Sequence, residues 1–182
     1  MSLAFLQPAN QNPAQGTKFR LNFDRLPYLT FFCMSVNLPG VSYPEIPRAT
    51  PFSDTPIPGD KIRYEELNIS FMIDEDYRSW LSVHDWIRGV TFPTNFDEYK
   101  NLGKLQRSSP LSQLVKQTDR PQYSDAILTI YTNKNNPNIR VKFRDCFPTS
   151  LSSVVFNTQD DADVILTGQS TFKFAWYDIE RL

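Results

Sequence analysis

Apolar and polar residues alternate with period two along much of this chain, and one stretch switches to a helical period. Leu67, Ile69, Phe71 and Ile73 alternate with Asn68, Ser70 and Met72. The alternation predicts a half-buried strand over Lys61–Ile73, entered through the turn Pro58-Gly59-Asp60. The apolar phase slips inside it: Ile62 and Tyr64 are even-numbered and the later apolar positions are odd. One extra residue near Glu65-Glu66, in a bulge or sharp bend, accounts for the slip. A helix is then predicted from Asp74 to about Arg88, stopped by Gly89 and Pro93. Asp74 suits the N-cap, and Glu75 and Asp76 put negative charge in the first turn. Tyr77, Trp80, Leu81, His84 and Ile87 share one face, with Val83, Trp86 and Val90 on an adjoining stripe. So short a helix needs a sheet to dock on, here through Trp80, Leu81 and Ile87.

The other elements are strands. Lys18–Leu26 carries Phe19, Leu21 and Phe23 on one side, and Leu29–Val36 follows the Pro27-Tyr28 turn, so 18–36 reads as a hairpin. Asn37–Asp60 is proline-rich and lacks strong alternation. Its length favours an extended hairpin or a functional loop over a structureless connection. Short helical pieces are expected near 95–106 and 111–117. Asp125–Thr132 and Asn138–Cys146 form a second hairpin, with Ile139, Val141 and Phe143 facing in and Arg140, Lys142 and Arg144 facing out. Phe147-Pro148-Thr149 interrupts it. Ser150–Asn157 and Asp163–Gly168 are expected to be short strands around the acidic turn Gln159-Asp160-Asp161. Gln169–Ile179 closes the chain as a strand with Phe172, Phe174 and Trp176 on one face. Residues 1–17 form a polar arm rich in Gln, Asn and Pro, and 18–182 form one domain.

Composition narrows the function. The 182 residues carry a formal charge of −1, so net attraction to nucleic acid or anionic membrane is absent. No apolar run spans a bilayer, and Met1–Phe5 lacks the pattern of a signal peptide. Cys33 and Cys146 read as buried free thiols in a reducing compartment. His84 sits between two tryptophans and reads as a core or interface residue. Asp74, Glu75 and Asp76 are explained by helix capping. Asp160, Asp161 and Asp163 lack the glycine and distal glutamate of a calcium loop. No cysteine–histidine set suits a metal, and no glycine-rich loop suits a phosphate. The sequence offers no catalytic, metal or cofactor site, and an enzyme is not expected.

The order of signals carries a resemblance. Phe31-Phe32-Cys33 leads to Leu38-Pro39, then Gly59-Asp60 opens the strand–helix unit, and Phe147-Pro148-Thr149 precedes the aromatic C-terminal strand. Over about residues 18–180 the chain resembles the tail tube proteins of contractile-tailed phages, which share their fold with the type VI secretion tube protein. The resemblance implies a mainly β fold, a sandwich or barrel with one flanking helix. It implies a structural subunit, six copies to a ring, with joined inner sheets forming a continuous barrel and rings stacking into a tube that conducts DNA. The partners so implied are the tail sheath, baseplate and tape-measure proteins. The resemblance further implies that DNA passes transiently without specific binding and that this chain does not insert in a membrane. The place is the virion tail, assembled in the host cytoplasm. The polar arm and the irregular 91–124 region leave room for a specialised ring, either a baseplate-proximal initiator or a terminator. A rival reading is a virion β-sandwich that binds carbohydrate or protein through surplus aromatics.

A channel for DNA needs a lining that does not hold phosphates. The segments expected to line it are 47–58 with Asp54, the slipped strand with Glu65 and Glu66, and 150–168 with Ser152, Ser153, Asp160 and Asp161. Arg140, Lys142 and Arg144 are expected away from the bore.

Overall fold

The computed structural model describes residues 12–100, 102, 122–157 and 165–182. Its centre is a seven-stranded antiparallel sheet that folds over on itself. One half holds β1 (Phe19–Phe23), β8 (Ser124–Tyr131), the first part of β9 (Pro137–Leu151) and β11 (Trp176–Arg181). The other half holds the end of β9, then β10 (Thr167–Lys173), β7 (Leu67–Met72) and β2 (Cys33–Val36). The halves face each other across an aromatic core. Phe23 of β1 meets Phe172 of β10 with ring centroids 5.0 Å apart, although their strands are not neighbours. Leu21, Leu128, Val141 and Phe143 are buried from one side and Leu67, Ile69 and Phe71 from the other. The expected mainly β fold is therefore present.

The bend that folds the sheet has a local cause. Asp145 adopts a left-handed backbone, φ 53°. Between the pairs Ser124↔Cys146 and Ala126↔Phe143 the register shifts, with Arg144 and Asp145 opposite Asp125 alone. This is a bulge, which bends and twists a strand. The Asp125 carboxylate holds it, accepting from Arg144 Nη1 at 2.5 Å and from the Asp145 N–H at 3.2 Å. At the same level the last strand breaks at Phe174-Ala175, where the Ala175 N–H donates to Arg144 O at 3.0 Å. Three sequence expectations are corrected here. Phe147-Pro148-Thr149 does not interrupt β9, which runs on to Leu151 in the other half-sheet. Residues 169–179 are not one strand. After the break Tyr177 packs on Phe143, while Trp176 is exposed. The short strand expected over 150–157 ends at Leu151, and 152–157 carries no strand.

The 18–36 hairpin is not formed. Pro27 opens a short helix, α1 (Pro27–Phe32), whose Leu29 is buried. Proline is suited to a helix start because its missing N–H would have no partner there. The Thr30 hydroxyl accepts from the Phe23 N–H at 3.3 Å. The helical turn carries the chain across to the other half-sheet, so β1 pairs with β8 and β2 pairs with β7.

The principal helix, α2 (Arg78–Thr91), begins later than its sequence signal and ends beyond it. Asp74 caps it from a turn upstream, accepting from the Ser79 N–H at 2.9 Å. Its buried stripe is Ser79, Val83, Trp86 and Gly89, not Trp80, Leu81 and Ile87. Leu81 is exposed, while Trp80 and Ile87 pack half-buried at the margin. Two small residues in the stripe let the helix approach closely, and small residues leave no trace in an apolar period. Gly89 does not stop the helix. It makes room for Leu102, whose Cδ1 would lie 2.4 Å from an added Cβ. Phe92, at φ 36°, ends the helix and bonds Arg88 O through its N–H at 2.7 Å, with Pro93 after it. A helical turn at 97–100 lies inside the expected 95–106 piece, whereas 111–117 falls outside the described residues. So does most of the polar arm. Among the described residues no helix is long and apolar enough to cross a membrane.

Candidate assembly surfaces

Alternation gives each half-sheet an outer face, and the two differ in chemistry. On the β2–β7–β10–β9 half, Ser35 pairs with Ser70 and Ser70 with Gln169. In the next row Asn68 pairs with Thr171 and Thr171 with Ser150. The Thr171 hydroxyl donates to Asn68 Oδ1 at 3.0 Å, and the Thr149 hydroxyl to Thr171 O at 3.1 Å. These rows are hydroxyls and amides with no charge. Lys173 ends β10 at the margin of this face, 3.3 Å from Glu66.

The β1–β8–β9–β11 half is charged. Arg20, Thr129, Arg140 and Glu180 form one row, and Asn22, Ile127, Lys142 and Asp178 the next. Glu180 lies 2.8 Å from Lys142 Nζ and 3.6 Å from Arg140 Nη1. The Lys142 hydrogen bond and charge hold the Glu180 carboxyl below the ordinary carboxylate range. The hydrogen bond and charge of Asp125 hold Arg144 charged to higher pH than usual. The expected outward row Arg140, Lys142 and Arg144 is thus on this half, and acids lie against it.

Two edges of the uncharged half are open among the described residues: β2, and the 147–151 part of β9 on the side away from β10. Open edges offer unpaired N–H and C=O groups to another chain.

The proline-rich segment is an arm. β3 (Val41–Ser42) pairs with β6 (Arg63–Tyr64) at its root, and β4 (Glu45–Ala49) pairs with β5 (Asp54–Pro58) beyond. Every residue of β4 and β5 is exposed. The turn is closed by the Thr50 N–H to Ser53 O at 3.2 Å, and Phe52 at its tip is 100% exposed. The extended hairpin anticipated in the sequence is present. So is the break at Glu65-Glu66, which separates β6 from β7.

The residues expected to line a channel are dispersed. Asp54 is on the arm. The Glu65 carboxylate accepts from the Gly40 N–H at 3.2 Å at the arm's root. Glu66 borders the uncharged face through Lys173. The Ser152 carbonyl accepts from Trp80 Nε1 at 3.3 Å, and its hydroxyl from the Gln169 N–H at 2.9 Å. Asp160, Asp161 and Asp163 lie outside the described residues. The rows of Asn68, Ser70, Gln169 and Thr171 were not singled out from the sequence. The polar phase opposite Leu67, Ile69 and Phe71 carried their signal.

The other candidate groups have structural partners. The His84 ring stacks on Trp80 at 5.2 Å, with Asp85 3.3 Å away. Cys33 and Cys146 are free thiols, and burial pushes Cys33 up to about 11 and Cys146 higher still. Trp86 Nε1 donates to Gln122 O at 3.2 Å, so two of the three tryptophans serve the packing of α2.

Comparison with known proteins matches this architecture. The 25% identity to the tail tube terminator protein of Enterobacteria phage T4 extends over 190 residues, all of this chain and 96% of that protein. The tube-terminating cap of the anti-feeding prophage superposes with a TM-score of 0.63 at 14% identity, covering 100% of both chains. A chain of the anti-feeding prophage baseplate superposes with a TM-score of 0.60 at 9% identity, covering 94% of this chain and 97% of that one. These two likenesses establish the fold. The family model described as phage tail tube protein matches residues 3–180, and the chain belongs to that family.

Proposed function

We propose that this chain is the terminator of a phage tail tube, a six-membered ring that caps the tube and conducts DNA through its centre. The observation that carries the conducting role is the uncharged outer face between two open sheet edges. Pairing β2 of one copy with the 147–151 edge of the next is a head-to-tail contact, and such contacts close into rings when the rotation permits. Closure removes both edges and turns the hydroxyl and amide rows toward the bore. DNA retention depends on cationic contacts to phosphate. Asn68, Ser70, Gln169 and Thr171 supply none, and Arg140, Lys142 and Arg144 are on the other half-sheet, paired with Glu180 and Asp125.

The position at the tube end is supported by the relationship to the phage T4 terminator across the whole chain. The partners are then the last ring of the main tube, reached through the arm, and the neighbouring sheath and tape-measure proteins. The site of action is the virion tail, assembled in the host cytoplasm. No catalytic step is needed.

The test is addition of purified chain to growing tail tubes. A terminator halts elongation and forms no tubes of its own. Long tubes assembled from this chain alone would instead make it the main tube subunit.

A further inference from the structure

The arm leaves the domain through a close approach of its two strands. At its root Tyr64 packs on Phe174 and Tyr177 with ring centroids 5.6 and 5.2 Å away. The Tyr177 hydroxyl donates to Pro39 O at 3.3 Å, and the Glu65 N–H to Gly40 O at 3.0 Å. The root is thereby tied to the core. One step outward the strands meet at Pro44 and Gly59, where the Gly59 N–H donates to Pro44 O at 2.8 Å. A Cβ on Gly59 would sit 2.3 Å from that backbone carbonyl and 3.1 Å from Pro44 Cγ. Gly59 does not have positive φ, so it is required for close approach and not for backbone conformation. Pro44 itself and Pro58, next to Gly59, have fixed φ.

We infer that Gly59 is a positioning residue: the Pro44–Gly59 pinch aims the arm in the free chain, so that Phe52 is presented in a set direction before any partner is met. This rests on the reading of the arm as an assembly contact. A preformed arm has less conformational entropy to lose on binding. Gly40 serves as the internal control. The atoms nearest to a Cβ there would be those of the Glu65 carboxylate, at 2.8–3.2 Å, the far end of a flexible side chain rather than backbone.

The experiment measures the distance between spin labels at R48C and R20C in the free full-length chain, with Cys33 and Cys146 replaced by alanine. Binding to preformed tube ends is measured in parallel. In the parent and in Gly40→Ala the distance distribution is expected to be narrow. Gly59→Ala is expected to broaden or shift it at an unchanged thermal midpoint, with binding weaker by about tenfold or more. Should Gly59→Ala fail to fold, a single glycine inserted after Gly59 displaces the pinch without a clash and is expected to broaden the distances in the same way. A parent distribution already as broad as either variant's, or distances unmoved by both, overturns the inference. If arm deletion leaves tube-end binding intact while the distances behave as expected, the pinch stands and the terminator reading of the arm fails.

Discussion

Asp74 accepts two hydrogen bonds from Ser79, from its N–H at 2.9 Å and its hydroxyl at 2.8 Å. The pair joins the end of β7 to the first turn of α2. Desolvation acts to raise the Asp74 carboxyl, and the Ser79 bonds together with the backbone N–H groups of Arg78 and Asp74 outweigh it, leaving the group below its ordinary value. A depressed carboxylate stabilises the fold above its unfolded pKa, about 3.9, and that contribution disappears as pH falls through the folded value. Asp74→Ala is expected to cost about 1 kcal/mol at neutral pH, as for other lost caps. Urea unfolding at about pH 7 and about pH 2.5 checks it: the deficit should shrink in acid. An equal deficit at both would show that the carboxylate charge contributes nothing.

Trp86 is 1% exposed and covers Phe172 with ring centroids 6.1 Å apart. Arg25 lies on its ring at 5.0 Å, and burial lowers that guanidinium to about 10. Trp86→Ala is expected to cost about 3–5 kcal/mol. Trp80→Ala, at the half-buried margin, should cost markedly less. Chemical denaturation of both variants orders them, and the reverse order would move the core to the other stripe of α2.

Gly89→Ala separates two effects of opposite sign. In an open helix the change stabilises by about 1 kcal/mol. Here the new methyl would enter the space of the buried Leu102 side chain, and overpacking costs about 1–3 kcal/mol. A lowered thermal midpoint is expected. A raised one would show that Leu102 yields freely.

What the sequence revealed was local. Period-two alternation located β7 and the β8–β9 pair, because one face of each is buried and the other wet. It misread Leu29–Val36 as the return strand of a hairpin. That segment is aromatic enough for a strand, and only the long-range pairing of Cys33–Val36 with β7 shows where the strand begins. It chose the wrong stripe of α2 because Ser79 and Gly89 contribute by being small. It missed the corner at Asp145, since a left-handed aspartate in a strand has no periodic signature. The assembly surfaces were half legible. Proline marked the arm, but the uncharged face becomes a surface only when β7 and β10 lie side by side.

Removing Ile46–Pro56 takes away residues that are exposed throughout both strands of the arm. The remaining monomer should keep its far-ultraviolet spectrum and thermal midpoint. Binding to tube ends should be lost, as measured by co-sedimentation with preformed tubes. Retained binding would assign the contact to another surface.

The central claim is a ring at the tube end whose bore is the uncharged half-sheet. Cryo-electron microscopy of intact tails tests it most directly. The expected map shows one ring of six copies capping the tube, with Asn68, Ser70, Gln169 and Thr171 facing the channel and β2 paired to the 147–151 edge of the next copy. Arg140, Lys142 and Arg144 pointing into the channel, or this chain repeating along the whole tube, would contradict it.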